Sequence, residues 1–444
     1  MKQYFKYPLA NLNEYERVKE AMALGNSVQV TGCEAAGLSH MISGLNEGYK
    51  QKVVVTFDAL KAQEIYEDLR SFGVDAVLYP SKDLIFFSAD VHGSLTLKQR
   101  LEFIQKVVKG EEFTVVLTVD AFLDKIMPLK KIKKHFTNIE TGERIDIEDL
   151  RAKFVEMGYE SVDQIESPGQ FSVRGSIVDV YTLTDEVPFR IDFFDDEIEE
   201  IKSFDVDTQR SIEKIDAIKI YPANEYILDE KQIEKGISAI RKELEEQAGR
   251  LEDKAEENDE AVSRLRYSVE EFLTAVDIDP ASPAYDSYVN YFFDDLVSLI
   301  DYFDSPIFFI DEPNRVVEKL NNTTIEFAES MSNRLEKGYV LPNQTDIIWN
   351  QDDILRKINK EAKVMFTTIA QKTKDFDVET QVDMESKNVH SYNGHFEMLV
   401  KDLENYKKQN FAVLITTHSA TRGKRIATEL MDQGLMRTLW IKTR

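Results

Sequence analysis

The order strand, glycine loop, helix, strand near the start of the chain narrows the fold more than any other feature. Ser27–Thr31 is a short strand-like run, and the octet Gly32 to Ser39 (Gly-Cys-Glu-Ala-Ala-Gly-Leu-Ser) follows it. Leu38–Leu45 begins a helical pattern, and the valines of Lys52–Thr56 read as a buried parallel strand. A nucleotide-binding α/β domain needs this order. The octet has the spacing of a phosphate loop, G-x-x-x-x-G-K-[ST], whose backbone N–H groups cradle phosphates while the lysine reaches the β/γ oxygens. Gly32, Gly37 and Ser39 fit the pattern. Leu38 stands where the lysine belongs, and Glu34 places a carboxylate in the loop. Losing a charge-assisted hydrogen bond costs roughly 1.5–3 kcal/mol. A carboxylate about 4 Å from a phosphate adds repulsion of up to about 4 kcal/mol at an effective dielectric near 20. Useful nucleotide affinity is not expected. Taken alone, the octet also reads as a plain turn and cap between a strand and a helix.

The alternation continues through the first 135 residues. Ala59–Phe72 is an amphipathic helix stopped by Gly73, Val74–Tyr79 a strand, Leu95–Val108 a helix and Phe113–Val119 a buried strand. This argues a parallel sheet flanked by helices. The pattern changes near Thr137. Asp146–Met157 is a short helix, and strands then run almost unbroken over Gln170–Tyr181, Phe189–Phe194, Ile198–Asp205 and Ala217–Tyr221, with Asp195–Asp196 as the turn of a hairpin. That stretch is an inserted, mainly antiparallel α+β unit. From Asp229 to about Leu265, apolar residues at 3–4 residue intervals (Ile233, Ile237, Ile240, Leu244, Ala248, Leu251) give a charged helix with one stripe, which packs on its own domain or on a coiled-coil partner. Ile307–Glu312 (Ile-Phe-Phe-Ile-Asp-Glu) is a strand ending in the acidic pair of a Walker B motif. Without a lysine in the loop, Asp311 and Glu312 read as a vestige. Val364–Thr368 and Phe411–Thr417 are strand-like, Ser419–Gln433 is helical, and the closing Leu-Trp-Ile-Lys-Thr-Arg reads as cut from something longer.

Composition removes several classes. The 444 residues are 42% hydrophobic and 10% aromatic, enough for two to four domains with their own cores. The net charge of −26 disfavours direct DNA binding, since duplex affinity rests on neutralising phosphates. The best basic cluster, Lys130, Lys131, Lys133 and Lys134, also reads as a solvated helix end. A single cysteine, Cys33, excludes a disulfide framework, and a reducing cytoplasm fits best. The start lacks the apolar core of a signal peptide, and no run of eighteen apolar residues exists to span a membrane. His390 and His395, the closest pair of six histidines, do not have zinc-helix spacing. Asp205 and Asp207 read as turn caps. No catalytic set, metal site or cofactor is expected.

Three stretches, Phe171-Ser-Val-Arg-Gly-Ser-Ile-Val-Asp-Val-Tyr181, Phe189-Arg-Ile-Asp-Phe-Phe-Asp-Asp-Glu-Ile198 and Phe204-Asp-Val-Asp-Thr-Gln-Arg-Ser211, resemble the second domain of the bacterial transcription-repair coupling factors. The excision-repair protein UvrB carries a related block. UvrB itself has a lysine-bearing phosphate loop and a long tyrosine-rich hairpin that clamps DNA. Here Leu38 replaces the lysine, and only Pro80–His92, with Phe86 and Phe87, is available for the hairpin. The resemblance implies residues 1–136 as UvrB-like domain 1a with a degenerate phosphate loop, 137–222 as a UvrA-binding domain 2, 223–375 as domain 1b and 376–444 as a small α/β domain. It implies recruitment of UvrA to RNA polymerase stalled at lesions. Polymerase binding and the ATP-driven DNA translocase would lie beyond residue 444, and the present region would restrain that motor by an intramolecular contact. The chain itself would be a non-catalytic binding module. An enzyme of UvrB type with residual ATP binding is the alternative, and a purely structural scaffold the third reading.

Strand periodicity places Phe189, Ile191 and Phe193 on one face and Arg190, Asp192 and Phe194 on the other. An aromatic beside an arginine on an open face is the composition of binding hot spots. At Gly175 the apolar alternation changes phase, which reads as a bulge re-aiming Arg174. Both arginines also read as solvated or paired with Asp179 and Asp192. By resemblance, Arg174, Arg190 and Phe194, with Asp192 beside them, contact UvrA. Arg190→Ala or Phe194→Ala is then expected to weaken UvrA binding at least about tenfold while barely changing the melting temperature.

Overall fold

A computed structural model of the chain describes residues 8–45, 48–82, 94–253, 259–278, 284–387, 389, 391–392, 394–411, 413–415, 417 and 419–435. Four strands come first: β1 (Val28–Thr31), β2 (Gln51–Thr56), β3 (Ala76–Tyr79) and β4 (Phe113–Thr118). The middle of the chain supplies β5 (Thr137–Glu140), β6 (Glu160–Ser161), β7 (Gln170–Arg174), β8 (Ile177–Val180), β9 (Phe189–Phe194), β10 (Glu197–Phe204), β11 (Ser211–Ile215) and β12 (Ala217–Ile220). After the helices Glu230–Glu252, Asp259–Ile278 and Tyr285–Phe292 come β13 (Ile307–Asp311), β14 (Ala362–Thr367) and β15 (Thr380–Asp383).

Seven of these strands form one parallel sheet in the order β15-β1-β14-β13-β2-β4-β3. Helices cover both of its faces, so its strands are apolar on both sides. Val53, Val55, Phe308 and Ile310 enter one core, while Val54, Ile307 and Phe309 enter another across the sheet. The first core continues through the helix Glu230–Glu252, whose stripe Ile240, Leu244, Ala248 and Leu251 is buried there. The charged helical stretch therefore packs on its own domain. Gly236 makes that contact possible, because a Cβ at this position would come within 2.2 Å of the Phe292 ring.

The inserted unit has its own core, centred on Phe154, Phe171, Val178, Ile191 and Ile201. Its six-stranded sheet runs β11-β10-β9-β8-β7-β6, antiparallel except for β6 with β7. Where the chain enters and leaves this unit, β5 and β12 pair antiparallel, Thr137 opposite Ile220. The helix Ile147–Glu156 is capped by Asp146, whose side chain accepts the N–H groups of Glu148 and Asp149. Asp205 likewise caps its turn through the N–H and hydroxyl of Thr208.

Three expectations change. Thr380–Asp383, placed by sequence at the head of the last unit, pairs with β1 and belongs to the large sheet. The described residues of Phe411–Thr417 form no strand, although helices flank them at Phe396–Lys408 and Ala420–Asp432. Phe411, Val413, Leu414 and Ile415 are exposed there, and no neighbouring strand engages their backbone. At Gly175 the phase change is a tight turn between β7 and β8, with Arg174 opposite Ile177 and Gly175 at φ +63°, and not a bulge. Phe86, Phe87, His390 and the last six residues lie outside the described residues.

A buried ionic network fixes where the insert rejoins the sheet. Arg100, fully buried, donates from Nε to Glu225 (2.8 Å) and from Nη1 to Asp124 (2.8 Å), with its guanidinium 4.3 Å over the Tyr79 ring. Lys82 bridges Glu225 (2.8 Å) and Asp286 (2.6 Å). Burial alone would raise the Glu225 carboxyl, but Arg100 and Lys82 hold it down to about 2. Its contribution is therefore complete above the ordinary glutamate range and is lost as pH falls from about 4.5 towards 2. Removing one partner from a buried pair costs roughly 3–5 kcal/mol. Glu225→Gln is expected to lower the urea midpoint at pH 7 by a corresponding amount. The gap between mutant and wild type should close as pH falls through that window.

Candidate functional site

The first candidate site lies at the carboxyl ends of β1, β13 and β14. The helix after β1 starts at Ala35, with Glu34 as its N-cap, so only Gly32, Cys33 and Glu34 remain as loop. Gly37, Leu38 and Ser39 are already helical. Leu38 is buried in the core beneath the sheet, and Ser39 is fully buried near Asp68, whose carboxyl is pushed up by burial. The sequence pattern of a phosphate loop is present, but three of its positions are committed to helix and core.

The loop's own donors are engaged. Gly32 N–H donates to Thr367 O (2.8 Å), and Glu34 N–H donates to Ser386 Oγ (2.7 Å). That hydroxyl in turn donates to Gly32 O (2.8 Å), and Met384 N–H donates to Thr31 O (2.8 Å). The strap Met384–Ser386 lies so close that a Cβ on Gly32 would sit 2.1 Å from Met384 O, and Gly32 has φ +73°. Only glycine fits there.

The acidic pair is engaged as well. Asp311 is buried and accepts from Thr56 Oγ1 (2.9 Å); burial pushes its carboxyl up, and that hydrogen bond opposes the shift. Glu312, in the left-handed region at φ 49°, accepts the Thr368 N–H (2.7 Å) and Gln371 Nε2 (3.1 Å). Cys33 is buried nearby, its thiol pushed up to about 12 by burial and then by Asp311 and Glu34, so it stays protonated. Among the described residues no group of acids, histidines and cysteines is arranged to hold a metal ion.

The second site is the outer face of the insert's sheet. Adjacent strands bring Arg174 of β7, Asp179 of β8 and Arg190 of β9 together. Asp179 is fully buried and opposes Arg190 in register. Arg190 forks it, Nε to Oδ1 at 2.7 Å and Nη2 to Oδ2 at 2.9 Å, while Arg174 Nη2 reaches Oδ2 at 2.5 Å. Gln209 Oε1 accepts from Arg190 Nη2 (3.1 Å), and the Phe204 ring lies 4.4 Å beneath the guanidinium. The hydrogen bond to Asp179 raises the Arg190 pKa. Asp192 pairs with Lys202 (2.9 Å), which also holds Glu200. Phe194 is 75% exposed beside the Asp195–Asp196 turn.

The sequence pattern places Arg190 outward and offers Asp179 as one possible pairing partner of the arginines; in the structure both arginines share it. Its place opposite Arg190 follows once the hairpin register is known. Gln209 sits in a loop in left-handed conformation, φ 58°, and carries no sequence signal. The basic cluster at Lys130–Lys134 forms short helical turns, with Lys131 paired to Asp295 (2.7 Å).

A helix-covered parallel sheet carries an antiparallel insert, and within it residues 137–226 match the UvrB interaction domain family. Over almost its whole length the chain is similar to transcription-repair-coupling factors. It is 29% identical over 428 residues to that of Bacillus subtilis (strain 168), covering 94% of this chain and 35% of the relative. It is 25% identical over 438 residues to that of Staphylococcus epidermidis (strain ATCC 12228 / FDA PCI 1200), covering 97% and 36%. It is 24% identical over 425 residues to that of Staphylococcus aureus (strain MRSA252), covering 95% and 35%. The expected likeness to the N-terminal part of the coupling factors is borne out, and the chain spans little more than a third of the length of these relatives.

Two outcomes follow from the geometry. Leu38→Lys should not restore nucleotide binding, because the side chain enters a core; it should instead destabilise the protein by about 3 kcal/mol or more, seen as an earlier thermal transition and no heat with ATP in calorimetry. The expectation that Arg190→Ala leaves stability untouched is revised. Removing the fork strands the buried Asp179 on Arg174 alone, so the melting temperature should fall clearly. Phe194→Ala, which removes an exposed ring, should leave it unchanged.

Proposed function

We propose that this chain is a non-catalytic docking module in transcription-coupled nucleotide excision repair, and that its inserted unit binds UvrA. The observation carrying this reading is the outer face of the insert, which carries an exposed Phe194 at its hairpin end and two arginines anchored on one buried carboxylate. Aromatic and arginine side chains dominate binding energy at protein interfaces. The likeness of residues 137–226 to the UvrB interaction domain supports the same partner type.

The first site supports the non-catalytic half. Backbone donors at Gly32 and Glu34 are hydrogen-bonded within the chain, and both carboxylates of the acidic pair have protein partners. On this reading, contacts to RNA polymerase and DNA, and an ATP-driven motor, would belong to regions outside this chain. The same docking face would serve as the intramolecular contact that restrains the motor until UvrA is engaged. A cytoplasmic location accords with the single buried thiol. Among the described residues no helix is long and apolar enough to cross a membrane.

The test is direct binding of purified UvrA to the whole chain, with Phe194→Ala as the variant that leaves folding intact. An affinity loss of at least about tenfold is expected, with no ATP binding at millimolar nucleotide in a parallel titration. Undiminished UvrA binding by Phe194→Ala would remove the face from the interface. Sub-millimolar ATP binding would return the chain to the enzymes.

A further inference from the structure

Asp179 is unusual among the acids of this face, because it is completely buried and has a guanidinium on each side. Both its oxygens are occupied by Arg190, and one of them also receives Arg174. A long arginine side chain on an open sheet loses considerable rotamer freedom when a partner binds, which weakens binding. Here that freedom is already spent in the free protein. Arg190 is held on four sides: by the two Asp179 oxygens, by Gln209 Oε1 and by the Phe204 ring. Gln209 is itself fixed, donating from Nε2 to Val206 O (2.8 Å).

The remaining donors show what such a clamp is for. Nη1 of Arg190, and Nε and Nη1 of Arg174, make no hydrogen bond among the described residues. At the centre of this face two cations, Arg174 and Arg190, share one acid, Asp179, which leaves one unit of positive charge there. On a chain of net charge −26, that local excess selects an acidic group.

We infer that Asp179 is the positioning residue of this docking face, pre-aligning Arg174 and Arg190 so that their spare N–H groups receive an acidic side chain of the partner on the face that also carries Phe194. The inference rests on the reading of this face as the UvrA interface. It adds a residue that touches no partner, and a partner chemistry, a carboxylate at the centre of the contact.

The test uses the whole chain and purified UvrA. Asp179→Asn should weaken binding by about tenfold or more, and Asp179→Asn/Arg190→Ala should bind no more than about twofold worse than the weaker single variant, because both remove one unit. In the labelled free chain, the Arg190 Nε–H resonance, identified by its loss in Arg190→Lys, should be protected from exchange and should lose that protection in Asp179→Asn. If Asp179→Asn fails to fold, Gln209→Ala replaces it; with an unchanged melting temperature it should shift the same resonance and weaken binding about threefold or more. A folded Asp179→Asn that binds UvrA like wild type, while Arg190→Ala does not, overturns the positioning role. If Phe194→Ala, Arg174→Ala and Arg190→Ala all bind like wild type, the face is not the interface and the inference falls with it. The resonance tells the two failures apart, since it reports the clamp without any partner.

Discussion

A parallel sheet has to be covered on both faces, and that requirement organises most of this chain. Successive residues of β2 and β13 alternate between two separate cores, so the middle of each strand is apolar on both faces. The helix that begins at Ala35 lies on one of these faces, and Leu38 and Ser39 are drawn into it. Leu38, at the position where the phosphate-loop pattern would have its lysine, is part of a hydrophobic wall. Once the helix starts so early, the loop shrinks to three residues, and Ser386 meets its Glu34 N–H donor and its Gly32 carbonyl oxygen.

The two sites handle polar groups in opposite ways. At the glycine loop, several polar groups are turned inward and hydrogen-bonded within the chain: Asp311 by Thr56, Glu312 by Thr368 and Gln371, Glu34 N–H by Ser386. Little chemistry is left facing out. On the insert, a buried acid pulls two cations into fixed positions, yet part of each guanidinium is left over.

Much of this architecture was legible in the sequence. Valine runs and period-two alternation gave the strands, and the hairpin at Asp195–Asp196 lies where its acidic turn residues placed it. The split of β9 into an inward Ile191 and Phe193 and an outward Arg190, Asp192 and Phe194 also holds. What failed depended on contacts distant in the chain. Phe411–Ile415 has strand-like composition, but a strand exists only where another backbone pairs with it. Thr380–Asp383 is unremarkable as a sequence, and it joins β1 because residues more than 350 positions away supply the edge. Gly175 shifts the apolar phase just as a bulge does, and only the pairing of Arg174 with Ile177 reveals a turn. The anchoring of Arg190 needed Gln209, which no periodicity identifies.

The ribbon formed by β5 and β12 has a consequence for how such a protein is assembled over evolutionary time. Thr137 and Ile220 face each other, so the two ends of the insert leave it side by side, about 5 Å apart as paired strands must be. A unit with adjoining ends and a private core asks its host for a single attachment point, and its removal leaves a gap that a short turn can close. Such a cassette can be carried by a host without the rest of its fold having to be rebuilt.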